Sequence, residues 1–431
     1  MSRTLPDWLD YQQRTHPQAI AMGLERVREV ASRLQLGRPG RFVITVAGTN
    51  GKGSTVAFLE AIARAADWKV GAFTSPHLQR YNERIRIDGD DVSDEALCAV
   101  FEEIEIARGA ASTDAVPLTY FEFGTLAALL IFEKSNLDLA ILEVGLGGRL
   151  DAVNIIDADV AVITTVDIDH QDYLGTDRET IGAEKAGILR AGKPCVLGEK
   201  DPPSSVLRRA YELGAFAIRG HSDYLIERGG DSSSEPGWRW REPGFELDLP
   251  LPALAAPAQL DNAAAAIAAL RALPVELPAQ AFVAGIRDAR LRGRLQKIAD
   301  TPEVVLDVGH NPQAIQQLSD WLQAHPKPTR AVFAALADKD VEAMVRILDG
   351  QICHWHLAGL NEVGPRVQTV VALAARVASA TGSPISRHST VAEALAEART
   401  ACLVGERVLV FGSFHTVAEA LNANGGVARR V

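Results

Sequence analysis

The stretch Val43-Ile-Thr-Val-Ala-Gly48-Thr-Asn-Gly51-Lys52-Gly53-Ser54-Thr55 constrains this chain more than any other. Val43 to Ala47 is a short apolar, β-branched run, the pattern of a buried strand. Val56, Leu59, Ile62, Ala63 and Ala66 then recur at helical spacing, so the glycine-rich turn opens onto a helix N-terminus. Glycines let backbone N–H groups close around phosphate oxygens; the helix end adds partial positive charge, and Lys52 adds a full one. A strand, this turn and a helix together read as a nucleotide-phosphate cradle. The turn also departs from the common P-loop: Val46 stands where the first glycine belongs, and Gly53 follows the lysine, so the hydroxyl comes one place late, at Ser54.

A chain of 431 residues exceeds one ordinary core, and two or three domains are expected. A net charge of −11 argues against a broad nucleic-acid surface but not against small anions held locally. Cys98, Cys195, Cys353 and Cys402 are far apart and lack metal-ligand spacing, as in a reduced, cytoplasmic protein. Met1 to Ile20 carries no apolar signal-peptide core, and no apolar run approaches the ~20 residues of a membrane span. No nucleic-acid or membrane partner is expected.

Apolar strand candidates near 43–47, 139–144, 159–166, 303–308, 331–336 and 407–412 alternate with helical patterns. The helical patterns fall near 18–35, 54–67, 94–108, 119–134, 177–190, 261–272, 312–324, 340–348, 367–380 and 391–400. Such alternation predicts parallel sheets flanked by helices. The turn-rich segment 229–237 predicts a small antiparallel patch or exposed hairpin. Arg292-Gly-Arg294 precedes a new strand–helix series, so domains are expected over 1–292 and 293–431.

Four further places carry chemistry. The strand Asp138 to Glu143, before Gly145-Leu-Gly147-Gly148, delivers Glu143 to a C-terminal strand end, where parallel sheets bind ligands. An isolated glutamate there ordinarily faces solvent from an edge strand; beside a phosphate cradle, binding of magnesium is favoured. The strand Val162 to Val166 ends in Asp167-Ile-Asp169-His170, whose carboxylates and imidazole can share a metal with Glu143. Thr176-Asp-Arg-Glu179 reads as a capping box, after which Ile181, Lys185, Ile188 and Leu189 share one face. Lys185 either snorkels at the edge of that stripe or is buried with a depressed pKa and a reactive amine. Finally, Glu303 to Pro312 is a strand opening into a helix, in which Asp307 can meet a ribose or adenine edge and His310 a carboxylate; Asn311 as a plain N-cap is the alternative. Loops 337–340 and 412–416 also lie at strand ends.

Taken in order, these blocks resemble the folylpolyglutamate synthase family of Mur-ligase-like amide ligases. The resemblance runs through 23–27, 48–54, 74–78, 82–84, 119–122, 142–154, 169–170, 184–187, 307–312 and 412–416. It implies an α/β fold: a P-loop-type, mostly parallel ATPase sheet with a small antiparallel patch, plus a smaller Rossmann-like C-terminal α/β domain. It implies that Thr49, Asn50, Gly51, Lys52, Gly53 and Ser54 hold ATP phosphates, with Asn262, Arg294 and Asp307 as adenosine and phosphate contacts. Two Mg2+ sites are implied: Ser75 with Glu143, and Glu143 with His170 and a carbamylated Lys185. Thr119, Tyr120, Phe121 and Glu122, with Leu150, Asp151 and Ala152, resemble a pterin-side pocket; His310 and Ser413 resemble glutamate contacts. The partners implied are dihydropteroate, reduced folates and L-glutamate, and the protein is implied to be a cytoplasmic monomer. Ala21-Met22 stands where the family often has an aspartate, which puts one dihydropteroate contact in question.

The expected reaction activates a carboxylate as an acyl phosphate, which the amine of glutamate then attacks. In-line phosphoryl transfer crowds anionic oxygens, a role for Lys52 and divalent metal. His170, Asp169 and His310 are all conceivable bases. The competing readings are a Mur-type ligase acting on a UDP-sugar peptide and a nucleotide-binding switch without ligase activity.

Overall fold

The computed structural model describes residues 3–16, 18, 20–109, 114–229, 237–360 and 367–425. The chain divides into two compact units: Met1–Ala253 with Gln259–Arg290, and Leu254–Ala258 with Leu291–Val431. The expected boundary at 292/293 falls two residues later than this division and does not anticipate that the short segment Leu254–Ala258 joins the second unit.

The first unit is built on β1 (Phe42–Ala47), β2 (Val70–Phe73), β3 (Ile85–Ile87), β4 (Asp90–Asp91), β5 (Leu139–Glu143), β6 (Val160–Ile163), β7 (Pro194–Leu197) and β8 (Phe216–Arg219). They form one sheet in the order β4-β3-β2-β5-β1-β6-β7-β8. The run β2-β5-β1-β6-β7-β8 is parallel, and β3 and β4 add an antiparallel edge. Every residue of β1 and β5 is buried, which explains their unbroken apolar character: helices cover both faces of a parallel sheet. Val46 pairs with Glu143 and Ala47 with Ile163, so the C-terminal ends of β5, β1 and β6 lie side by side. The sheet thus presents three adjacent strand ends where such folds place their ligands.

A small antiparallel sheet of β9 (Leu225–Arg228), β10 (Gly237–Glu242) and β11 (Phe245–Pro250) belongs to the same unit. It answers the expected patch, although 230–236 of the turn lie outside the described residues. Trp240 is buried in it and donates its indole N–H to Ala264 O at 3.2 Å, satisfying the ring's one polar atom.

The second unit carries β12 (Gln296–Asp300), β13 (Glu303–Leu306), β14 (Thr329–Phe333), β15 (Ile352–Ala358), β16 (Ile385–His388) and β17 (Arg407–Phe411). Their order is β12-β13-β17-β14-β15-β16, all parallel except β12. The core includes Val305, Ile315, Phe333, Trp355, Leu357 and Phe411.

Several elements depart from expectation. The segment 18–35 begins its helix only at Glu25, and a separate helix Leu5–Thr15 precedes it. Strands β2, β7, β8, β15 and β16 and helices Ser204–Leu213, Ala279–Asp288 and Phe414–Ala423 were not expected. The capping box at Thr176 is corrected. Asp177 is the N-cap, accepting from the Thr180 N–H at 2.9 Å, while Glu179 accepts from the N–H groups of Ser204 and Ser205 at 2.9 and 2.7 Å. The Glu179 carboxylate therefore satisfies orphan donors of the next helix rather than its own.

Candidate active site

Gly48 to Gly51 links β1 to the helix Lys52–Ala65, with Gly51 as N-cap at φ +87°. A side chain at Gly48 would collide with the Thr164 hydroxyl, and one at Gly51 with the Asn262 amide. Both positions have positive φ, so only glycine brings the backbone this close. The loop is sewn to the end of β6. Thr49 N–H donates to Thr165 O at 2.7 Å, and its hydroxyl to Asp167 O at 3.0 Å; Thr164 Oγ1 donates to Asn50 O at 2.6 Å. Lys52 Nζ folds back on Gly48 O and Thr49 O at 3.1 and 3.3 Å. Ser54 is buried behind it in the first helical turn. Rigid carbonyls thus hold the lysine over a helix end, the arrangement a polyphosphate needs.

Glu143 is buried on β5, an internal strand, which removes the edge-strand alternative. One of its carboxylate oxygens accepts from Ser75 N–H at 3.1 Å, so those two residues meet as expected. The turn that follows is tight against two other segments. A Cβ at Gly145 would come within 2.7 Å of the Phe121 ring, and one at Gly148 within 2.9 Å of the carbonyl oxygens of Glu184 and Lys185. Arg149 N–H donates to Glu184 O at 2.8 Å, and its guanidinium pairs with the Glu184 carboxylate at 2.7 Å.

Lys185 closes the helix Arg178–Lys185 with 3% of its surface exposed, which decides against a snorkelling lysine. Ile181, Ile188 and Leu189 are buried with it. Burial brings its pKa down to about 7; the Lys52 ammonium acts in the same direction, against Asp169, Asp151 and Glu199. Lys52, Lys185, Asp169 and Asp151 therefore share one electrostatic neighbourhood. Asp151 is pushed up to about 7 by burial, against N–H donors including Leu146 and Val153 at 2.9 and 3.1 Å. His170 follows Asp169 in a left-handed conformation, φ 51° and ψ 43°, with its N–H on the Asp169 carboxylate at 2.8 Å. Such backbone strain in a half-buried residue is characteristic of functional sites.

A family model of the Mur ligase middle domain matches residues 46–270, and one of the Mur ligase glutamate ligase domain matches 293–414. The dihydrofolate synthase/folylpolyglutamate synthase of Escherichia coli (strain K12) is 44% identical over 420 residues, 97% of this chain and 94% of that protein. The chain belongs to the dihydrofolate synthase/folylpolyglutamate synthase family. Among solved structures, E. coli FolC in complex with DHPP and ADP superposes with a TM-score of 0.90 at 43% identity, covering 98% of this chain and 97% of that one. A bifunctional folylpolyglutamate synthase/dihydrofolate synthase with Mn, AMPPNP and L-glutamate bound gives 0.88 at 42% identity, covering 98% of both chains.

The segments 119–122 and 150–152 also converge with the stretch around Ala21 to Gly23. Thr119 caps the helix Tyr120–Lys134 in a complete capping box with Glu122, which pairs with Arg26 at 2.9 Å. Arg26 also donates to Ala21 O at 2.8 Å, and Gly23 N–H reaches Leu150 O at 3.4 Å. Ala21 to Gly23, Thr119 to Glu122 and Leu150 to Ala152 are thereby drawn together. Tyr120 packs edge-on against Tyr81, with ring centroids 5.4 Å apart, and under the Arg84 guanidinium; Phe121 packs against Phe73.

In the second unit, Asp307 is buried and accepts from Leu295 and Gly309 N–H at 2.9 and 2.7 Å; burial raises its pKa, against the nearby Arg294. The Arg294 guanidinium lies 5.4 Å from the Phe414 ring centre, and the His310 ring lies 6.2 Å from it. Ser413 caps the helix Phe414–Ala423, accepting from Thr416 N–H at 3.0 Å, so its hydroxyl serves that helix. Asn262 belongs to the first unit, beside Gly51.

Three residues at the site were missed in the sequence. Thr164 and Thr165 anchor the cradle, and Glu199, pushed up to about 7 by burial, accepts from Val166 N–H at 3.1 Å and pairs with Arg178. Two consecutive threonines ending an apolar strand were the available signal.

Proposed function

We infer that the protein is an ATP-dependent ligase that joins the carboxylate of dihydropteroate or a reduced folate to the amino group of L-glutamate through an acyl phosphate. The observation that carries this reading is the buried, depressed amine of Lys185 in the same neighbourhood as Lys52 of the phosphate cradle. Family membership and the ligands named for its solved relatives support it. A Mur-type UDP-sugar peptide ligase would share the mechanism, but the matching relatives act on folates. A switch without ligase activity leaves the buried lysine without a purpose.

The residues fit ATP and divalent metal. Gly48 and Gly51 leave no space for a Cβ, so backbone amides line the loop, and a buried carboxylate and a buried amine stand at adjoining chain segments. Thr49 to Ser54 hold the phosphates, with Asn262 against the loop; Arg294 and Asp307 are nucleotide contacts that family membership suggests. Ser75 with Glu143, and Glu143 with His170 and carbamylated Lys185, are the two magnesium ligand sets. Magnesium held by these residues would supply positive charge to offset the anionic oxygens of phosphoryl transfer.

Lys52 holds positive charge over the transferring phosphate, and the tight loop keeps it there. Lys185 is neutral in an appreciable fraction near pH 7; its amine adds carbon dioxide, forms an N–C bond and releases a proton. The product is an anionic oxygen donor where a cation was costly. Phe121 and Tyr120 flank the pterin-side pocket, and His310 meets the incoming glutamate. His170, Asp169 or His310 takes the proton of its amine. The four cysteines are free, as a reducing compartment favours, and no helix among the described residues is long and apolar enough to cross a membrane.

Phosphate release from ATP, measured with dihydropteroate and glutamate added singly and together, tests the reading. Release is expected only with both present. Release with a UDP-sugar peptide instead, or no dependence on either acceptor, would overturn it.

A further inference from the structure

Three of the chain's ten histidines stand on one face of the second unit's sheet, and none of them is among the candidate site residues above. Side chains two apart along a strand share a face, which places His354 with His356 on β15 and Ser386 with His388 on β16. The parallel register puts His356 beside Ser386 and Ala358 beside His388, so the four residues form one continuous patch. The rings of His354 and His356 stack at 4.5 Å between centroids, and those of His356 and His388 at 5.6 Å. The helix Val391–Ala401 covers this face and brings Glu397, whose carboxylate lies 3.5 Å from His388 Nδ1.

Ser386 Oγ organises the rings. It lies 3.1 Å from His356 Nδ1, 3.3 Å from His388 Nε2 and 3.0 Å from His354 Nε2. A hydroxyl has one proton to give and two lone pairs. When its proton goes to His354, it accepts from His356 Nδ1–H and His388 Nε2–H, and in that tautomer pair His356 Nε2 and His388 Nδ1 carry the lone pairs. His356 is 1% exposed, and its buried Nε2 has no hydrogen-bond partner among the described residues. A buried polar atom without a partner is costly.

We propose that His356, His388 and Glu397 form a binding site for a divalent transition metal of the zinc type, with Ser386 orienting both imidazoles from behind. Ligand atoms of the three residues all lie within 4.8 Å of one another. Tetrahedral zinc with bonds of roughly 2.0–2.1 Å separates its ligands by about 3.3 Å, close to the 3.5 Å His388–Glu397 spacing. Two imidazoles and a carboxylate suit zinc, cobalt or nickel and not magnesium, so the site is chemically distinct from the ATP-linked magnesium sites. Burial, with His354, His388 and Arg330 acting in the same direction, holds the His356 ring neutral with its pKa down to about 4, so the lone pair needs no proton removed at neutral pH. Arg330 is itself paired with Glu406 at 2.8 Å, which offsets its charge. The Glu397 side chain is 56% exposed and supplies the way in for an ion and a fourth, solvent ligand. Ser386, on the ring nitrogens turned away from the ion, matches the outer-sphere hydrogen bonding that orients metal-ligating histidines elsewhere.

The test uses the full chain stripped of metal by a chelator, without ATP or magnesium. Zn2+ is titrated against a colorimetric competitor, and Co2+ is added separately as a spectroscopic probe. Because His170 is a candidate ligand of the ligase site, His170→Ala is run beside His388→Ala and Glu397→Gln. One equivalent of zinc at micromolar or tighter affinity is expected in the wild type and in His170→Ala. His388→Ala and Glu397→Gln should each weaken it at least tenfold and lose the intense visible bands of tetrahedral cobalt. Glu397 is on the surface, so Glu397→Gln keeps the test clear of misfolding. No zinc binding by the wild type, equal binding by the Glu397 and His388 variants, or loss of the signal in His170→Ala would each overturn the proposal.

Discussion

Gly148 and Lys185 are locked together: a single methyl group at position 148 would lie 2.9 Å from the Lys185 carbonyl oxygen. The turn leaving β5 and the helix carrying the buried lysine are therefore set against each other backbone to backbone. Gly148→Ala is expected to lower stability by about 1–3 kcal/mol, the usual cost of overpacking. It should also slow ligation at least tenfold by displacing Lys185, with ATP binding retained. Thermal unfolding and single-turnover kinetics check this; a variant as active as the wild type would mean that the turn yields freely.

Lys185→Ala is expected to abolish ligation while leaving ATP affinity within about threefold of the wild type, read by nucleotide titration. Near-wild-type turnover would rule out the carbamate.

The same residue predicts a pH and carbon dioxide dependence. With the Lys185 pKa at about 7, the ammonium dominates at lower pH and the reactive amine at higher pH. The carbamylated fraction, and with it the ligation rate, should therefore rise as pH rises through about 7. Buffers stripped of carbon dioxide should lower the rate, and bicarbonate should restore it. A rate indifferent to bicarbonate at pH 7 would contradict this role.

Thr164→Val keeps the shape of the side chain and removes the hydroxyl that donates to Asn50 O at 2.6 Å. A buried hydrogen bond of this kind contributes about 1 kcal/mol. The KM for ATP is expected to rise roughly fivefold with little change for glutamate. An equal rise for both would point to general loosening of the sheet.

Glu122→Gln removes the charge that pairs with Arg26 and weakens the cap of the helix Tyr120–Lys134. A loss of about 1–3 kcal/mol is expected. Because Tyr120 and Phe121 begin that helix, the KM for dihydropteroate should increase more than that for ATP. Calorimetry and initial rates separate the two effects.

Much of the site was legible because it is local. The glycines of the cradle, the helix beginning near 119 and the strand ending at Glu143 each announce themselves within a few residues, through backbone geometry and side-chain period. Strands β2, β7, β8 and β16 were illegible: each has only four residues and, unlike the equally short β6 and β13, does not sit within a longer apolar run. The cap at Asp177 was misread because Glu179 has two sets of orphan N–H groups within reach, and the spacing that suggests one does not exclude the other. Ser413 reads as a ligand contact in a loop at a strand end, yet its hydroxyl is committed to a helix N-terminus.

By itself the sequence determined that a strand, a phosphate loop with Lys52 and a helix follow one another, since positive-φ glycines and helix-end amides act over single residues. The alternation of strands and helices determined the parallel α/β class in the same way. What only the tertiary structure decided is which side chains share a dielectric environment. Whether Lys185 snorkels or is buried depends on Gly148, Asp151, Asp169 and Lys52, none of them on its own helix. Whether His354, His356 and His388 meet depends on the register of two neighbouring strands. Burial and charge proximity are properties of packing between distant segments, and no local pattern records them.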